Sequence, residues 1–231
     1  MNTKKIWKKF LKTFSMIKRI KRVSYVSVIT SFFLIYSCQN SVKMLDNWEG
    51  KVVYKINSAF INPDASDSTN FQIVYAKDSM LRVESFTPIG KQVYIKHIPK
   101  NKAYILMDIH SDKIAIQTYR EDAPNKGKYK FNEVRGRKKF GGRKAKNIDV
   151  QLPEIDTTMR MNYFEEIPEK YSEAIPGIPG FPANYTVYSN GDFITYQVIE
   201  IDEKELDIDL FGIPANYTKI SMDQFIEMIE Q

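Results

Sequence analysis

The chain has 231 residues, with 34 Lys and Arg against 28 Asp and Glu, a formal charge of +6, and a single cysteine. Nine of the cations fall within residues 1–22, ahead of the first acid, Asp46. Taking those nine away leaves 25 basic against 28 acidic side chains, a balance of −3 over the 194 residues from Cys38 onward, so the folded part is not the basic domain that a nucleic-acid partner needs.

In chain order, the basic start is followed by Val23–Tyr36, 14 residues without a charge. That is short for a membrane span of ~20 residues and fits the apolar region of a secretory signal. The segment closes on Leu34-Ile35-Tyr36-Ser37-Cys38. These residues resemble a bacterial lipobox: an aliphatic residue, a variable position, a small residue, then Cys. The resemblance implies cleavage before Cys38, a diacylglycerol on its sulfur and an acyl chain on the new amino terminus. Two or more chains anchor stably where one holds marginally, since each buried methylene contributes ~0.8 kcal/mol. With Cys38 acylated, no thiol is left for a disulfide or a Cys-based metal site. The expected organisation is a signal peptide over 1–37, a tether over 38–47 and one β-rich domain over 48–231. Gln39 after the cysteine, where the best-known retention signal has Asp, points to the outer membrane. Residues 39–45 hold no acidic cluster of the surface-export kind, which points to the periplasmic face.

From Trp48 the pattern is that of strands. Lys51–Phe60, Phe71–Ala76, Met80–Phe86, Lys91–Ile98, Ala103–Ile109 and Lys113–Tyr119 are rich in Val, Ile, Tyr and Phe, and several alternate apolar with polar residues. Turn residues separate them at roughly ten-residue spacing, the signature of a meandering antiparallel sheet. Lys138–Leu152 continues it, with Gly141-Gly142 readable as a bulge or bend. Thr158–Phe164 is a further strand. Ile175–Pro182 carries three prolines and two glycines, cannot be helical, and would make a poor central strand. Tyr185–Tyr188 and Phe193–Ile201 flank Asn190-Gly191, a strong hairpin signal. Pro182–Thr186 and Pro214–Thr218 share the run Pro-Ala-Asn-Tyr-Thr, expected as two similar extended approaches to the same sheet. The chain closes on a helix, with Ser221 and Gln224 as capping box and Met222, Phe225, Ile226 and Ile229 on one face.

The strand run, Ile178-Pro179-Gly180-Phe181-Pro182 and Leu210-Phe211-Gly212-Ile213-Pro214-Ala215-Asn216-Tyr217 together resemble small exported β-rich proteins of Gram-negative bacteria. These are the Gly-Leu-Pro-Gly-motif (GLPGLI) and DUF4412 families. Lys102–Met107 and Gly142–Ala145 fit the same likeness. Such families look like relatives of the periplasmic lipoprotein-carrier (LolA-like) fold. The resemblance implies a mainly β, α+β architecture: a curved antiparallel sheet or incomplete barrel with a short C-terminal helix and a helical plug over the apolar face. It also implies binding of a lipid, acyl chain or lipidated partner. The alternative is a structural lipoprotein that docks an envelope protein or polysaccharide through charge.

Charge is unevenly spread. Residues 126–146 hold ten cations and one acid, Glu133, whereas 147–231 hold 17 acids and four cations. A solvated basic hairpin beside an acidic half is one reading; contact with anionic headgroups is the other. His97 and His110 lie outside any metal-ligand spacing, and no Gly-x-Ser-x-Gly elbow occurs. Asp207 and Asp209 would share an exposed face with Glu203 and Glu205. Ser68 and Ser79, each after Asp in a turn, resemble O-glycosylation acceptors. No catalytic residue, cofactor or metal is expected, and Cys38 is the expected lipidation site.

Overall fold

The computed structural model describes residues 47–58, 70–87, 90–100, 102–109, 112–119, 129–153, 155–172 and 174–230, all within a compact unit spanning Met44–Gln231. Cys38, Ser68 and His110 lie outside the described residues.

The fold is mainly β. Twelve strands form one sheet: β1 (Gly50–Asn57), β2 (Phe71–Lys77), β3 (Met80–Thr87), β4 (Gly90–His97), β5 (Lys102–Ile109), β6 (Asp112–Tyr119), β7 (Lys130–Phe140), β8 (Arg143–Leu152), β9 (Thr157–Phe164), β10 (Phe181–Ser189), β11 (Asp192–Asp202) and β12 (Thr218–Ser221). Their order is β12-β6-β5-β4-β3-β2-β1-β11-β10-β9-β8-β7, so β12 and β7 are free edges and the sheet does not close into a barrel. Every pairing is antiparallel except β12 with β6, which is parallel.

Register builds an apolar row on one face. Val52 pairs with Val74, Val74 with Val83, Val83 with Tyr94, Tyr94 with Ile105, Ile105 with Ile116, and Ile116 with Ile220. Because strand side chains alternate, a one-residue slip anywhere would turn this row outward. The opposite face of β4–β6 carries Val93, Ile95, Leu106 and Ala115, covered by Ile213 and Tyr217 from the C-terminal segment.

Several expectations change. Gly141-Gly142 is neither bulge nor bend but the two-residue turn of the β7–β8 hairpin, with φ of 53° and 82°. Positive φ at both positions matches the right-handed twist of the flanking strands and suits glycine. The bulge lies instead at Val134–Arg137. Pro182 sits inside a central strand, β10, and the ladder to β9 shifts register between Pro182 and Asn184, which absorbs the missing N–H. Only the first Pro-Ala-Asn-Tyr-Thr copy is extended. In the second, Tyr217 N–H donates to the Pro214 carbonyl (3.0 Å), closing a turn that ends at the edge strand β12. Asp207 and Asp209 are not on alternating strand positions. Asp207 caps a 3-10 turn, Ile208–Phe211, by accepting from the Asp209 N–H (3.0 Å).

The helix α1 (Met222–Ile229) has its capping box: Ser221 accepts from Gln224 N–H (3.1 Å) and Gln224 accepts from Ser221 N–H (2.9 Å). Its apolar face is only partly covered, with Met222 and Ile226 about 40% exposed. The expected helical plug is replaced by an irregular strap, residues 165–180, with one 3-10 turn, Glu169–Tyr171. Its prolines and glycines forbid an α-helix, yet Ile167, Tyr171, Ile175 and Ile178 are each at most 2% exposed and join the core with Tyr54, Leu81, Ile148 and Phe181.

Candidate ligand-binding cavity

The strap does not fill the concave face. Between it and the sheet lies a cavity of about 390 Å³. Its wall on one side is Tyr54 of β1, Gln72 and Val74 of β2, Leu81, Val83 and Ser85 of β3, and Tyr94 of β4. On the other side stand Phe181, Tyr185 and Val187 of β10 and Tyr196 of β11, with Tyr171, Ser172 and Ala174 of the strap above. Strands β4 and β10 are five places apart in the sheet yet line one space, which requires strong curvature. The floor residues Tyr54, Val74, Leu81, Phe181 and Tyr185 are buried, while Gln72, Val83, Ser85, Tyr94 and Val187 are half-buried. The cavity therefore runs from a wetter rim to an apolar floor, the usual build of a small-molecule pocket.

Three tyrosines organise the floor. Tyr185 and Tyr196, directly paired across β10 and β11, stack face to face with ring centroids 4.8 Å apart and planes 2° from parallel. Tyr54 meets both edge-on, at 5.7 and 6.3 Å. Burial pushes the Tyr54 and Tyr185 hydroxyls well above the ordinary tyrosine range, with a smaller contribution from the neighbouring tyrosine in each case, and burial raises Tyr196 as well. All three stay protonated and neutral.

The strap is pinned at three points. The Tyr171 hydroxyl donates to the Asp78 carbonyl in the β2–β3 turn (2.6 Å) and accepts from Trp48 N–H (3.3 Å). Phe181 N–H donates to the Ile167 carbonyl (2.9 Å). Gly180 packs its backbone against β9 so closely that a Cβ there would lie 2.3 Å from the Phe164 carbonyl oxygen.

Behind the sheet, the segment 203–217 is clamped to the convex face. Glu49 accepts from Lys77 Nζ (2.6 Å) and from Leu206 N–H (2.5 Å), and Arg82 donates to the Leu210 carbonyl (2.9 Å). The Tyr217 hydroxyl donates to Asp108 (2.7 Å). Arg82 and Lys91 both pair with Glu84 (2.7 Å each). Burial pushes the Glu84 carboxyl up, but hydrogen bonds from Lys91 and Arg82 outweigh it and hold the group below the usual carboxylate range. The two sequence motifs thus do different work: Ile178–Pro182 ends the strap, and Leu210–Tyr217 covers the outer face.

The basic segment falls on the β7–β8 hairpin, apart from Lys126 and Lys128, which lie outside the described residues. Part of its charge is neutralised. Lys146 and Arg137 face Glu165 (2.5 and 3.8 Å), and Arg143 pairs with Glu203 (2.7 Å), which also accepts from Trp48 Nε1 (2.7 Å). Lys130, Arg135, Lys139 and Lys144 are exposed and have no acidic partner among the described residues. Among the described residues no group of three or more His, Cys, Asp and Glu side chains is placed to hold a metal, and no helix is long and apolar enough to cross a membrane. Ser79 lies half-buried in the β2–β3 turn.

Sequence reading named no cavity residue. Alternation marks one face of each strand, but cannot tell a filled core from an open one. The three apolar residues of the strap set among prolines were the available signal for a covering segment.

No protein-family model matches the chain, and no curated protein matches it. Solved structures do. PNGF-II, solved in two space groups, matches at 13% identity and a TM-score of 0.47 in each. The match covers 80% and 78% of this chain and 34% and 32% of that one, so the chain spans about a third of the length of PNGF-II. The LolA superfamily protein NE2245 from Nitrosomonas europaea matches at 10% identity and a TM-score of 0.31, over 72% of this chain and 90% of that one. The likeness to the Gly-Leu-Pro-Gly and DUF4412 families has no counterpart in the comparisons.

Proposed function

We propose that the protein is an envelope lipoprotein, anchored through Cys38, that binds an apolar ligand between its curved sheet and the 165–180 strap. The observation that carries the binding role is the cavity itself. A volume of about 390 Å³ floored by Val74, Leu81, Phe181 and three tyrosines is a surface that an apolar molecule would cover favourably. The anchor rests on the leader sequence: the n-region, the uncharged run and the Ile35-Tyr36-Ser37-Cys38 box. Gln39 supports an outer-membrane, periplasm-facing site. Kinship to the DUF4412 and Gly-Leu-Pro-Gly families belongs to the same proposal and rests on Ile178–Pro182 and Leu210–Tyr217. The role is binding and not catalysis, with no cofactor beyond the lipid at Cys38 and no nucleic-acid partner.

Native mass spectrometry of the full-length protein extracted from its own host tests the reading. Wild type should carry a lipid-sized mass beyond chain and anchor. Val83→Trp, which places a ring in the cavity, should lose it. A wild-type mass without extra lipid, or a lipid retained undiminished by Val83→Trp, counts against the cavity as the site.

A second reading, docking of an envelope partner through charge, is favoured by four exposed cations, Lys130, Arg135, Lys139 and Lys144, that have no acidic partner among the described residues. Charge reversal at Lys139 and Lys144 should then abolish crosslinks to that partner; an unchanged crosslinking pattern would sink this reading.

A further inference from the structure

Most polar groups around the cavity are already engaged. The Tyr54 hydroxyl donates to the Pro182 carbonyl (2.5 Å), Gln72 to Ser85 (3.1 Å) and Tyr171 to the Asp78 carbonyl (2.6 Å), while the Ser172 hydroxyl accepts from Ala174 N–H (3.3 Å). Two are not. Tyr185 is only 4% exposed and Tyr196 is half-buried, and neither hydroxyl has a hydrogen-bond partner among the described residues. Both belong to rings that line the cavity, and the two rings are parallel. No described side-chain oxygen or nitrogen fully shut off from solvent lacks a partner, so these two unpaired hydroxyls, on rings that line the cavity, are open to it, and a ligand oxygen can complete their bonds there.

The described lining of the cavity is also without charge. None of its described lining residues is Asp, Glu, Lys, Arg or His. A carboxylate or ammonium moved from water to this site would lose hydration without gaining a counter-charge, a strongly unfavourable exchange. A neutral oxygen, by contrast, can accept from one tyrosine and donate to, or accept from, the other.

We infer that the cavity takes an uncharged amphiphile, with its apolar part on Val74, Leu81 and Val83 and a neutral hydroxyl or carbonyl oxygen at the Tyr185 and Tyr196 hydroxyls. This rests on the apolar-ligand reading above and narrows it by headgroup.

The full-length protein in phosphatidylcholine vesicles is exposed to three photoactivatable dodecyl probes that differ only in the head: primary alcohol, carboxylate or trimethylammonium. Labelled peptides are mapped and normalised to labelling of the vesicle lipid. The alcohol should label the peptides carrying Val74, Leu81 and Val83 about ten-fold more than either charged probe. Tyr185→Phe with Tyr196→Phe should erase that preference. Tyr196→Phe alone, at the less buried of the two positions, should reduce it part-way with an unchanged melting temperature. Equal labelling by all three heads, a preference for a charged head, or a preference that survives the double substitution would overturn the headgroup assignment while leaving the apolar-ligand reading in place. Absence of cavity labelling by every probe would overturn both.

Discussion

The hydroxyl of Tyr54 on β1 donates to the carbonyl of Pro182 on β10 at 2.5 Å, although β11 lies between those two strands. A bond that skips a strand is geometrically open only where the sheet is bent sharply enough to bring β1 and β10 toward each other. It spans the bulge at Pro182, where the ladder to β9 is broken, and it supports the tyrosine-lined wall of the cavity. Curvature, bulge and cavity are thus one arrangement.

Tyr54→Phe keeps the ring contacts to Tyr185 and Tyr196 and removes only the hydroxyl. It leaves the Pro182 carbonyl without its donor in a buried place, so the protein should lose about 1–2 kcal/mol in urea unfolding. An unchanged midpoint and slope would show that the bond contributes nothing.

Gly180→Ala should cost more. The added Cβ would sit 2.3 Å from the backbone oxygen of Phe164, and a backbone carbonyl cannot swing aside as a flexible side chain can. Either the strap lifts from β9 or the strand shifts, for a loss of about 2–3 kcal/mol. Thermal unfolding reads the loss, and faster proteolysis within 165–180 would locate it in the strap.

Glu84 ties stability to acid. Its folded pKa lies below the ordinary 4.5, because hydrogen bonds from Lys91 and Arg82 outweigh the burial that pushes it up. A lowered folded pKa contributes stability that is fully present above 4.5 and is lost as pH falls through the folded value. Glu84→Gln should therefore destabilise the protein near neutral pH by on the order of 2 kcal/mol. The gap from wild type should close as pH drops below 4.5. A gap independent of pH would remove the ion pairs as its cause.

The tyrosines tie stability to alkali with the opposite sign. Burial, with Glu133 adding to it, pushes the Tyr163 hydroxyl from 10.0 up to about 12. A raised folded pKa contributes stability that is complete below 10 and disappears as pH climbs toward 12, because the unfolded chain ionises first. Tyr54 and Tyr185 are raised as well, again mainly by burial. Tyrosinate absorbance should therefore rise together with loss of β circular dichroism in one cooperative step. Gradual ionisation of all tyrosines in an intact fold would contradict it.

The local pattern was legible wherever a short stretch of chain decides the outcome. Alternation in Met80–Phe86 and Lys113–Tyr119 foretells their faces, Asn190-Gly191 its hairpin, and Ser221 with Gln224 the helix cap. Gly141-Gly142 was misread because a glycine pair serves both a bulge and a primed turn, and only the pairing of Phe140 with Arg143 selects the turn. The second Pro-Ala-Asn-Tyr-Thr copy departs from the first for a similar reason: identical residues are strand beside β9 and β11, and turn where Tyr217 is drawn to Asp108.

By itself the sequence determined the charge balance, the lone cysteine at Cys38, the strand periods and the absence of helix through Ile175–Pro182, because each is a property of composition or of neighbouring residues. Only the tertiary structure decided that the strap seals one part of the concave face and leaves another open, and that Tyr54, Tyr185 and Tyr196 converge there. Those outcomes depend on how far a twelve-stranded sheet curls and on which distant strands it brings face to face, and no stretch of chain short enough to carry a local pattern encodes that distance.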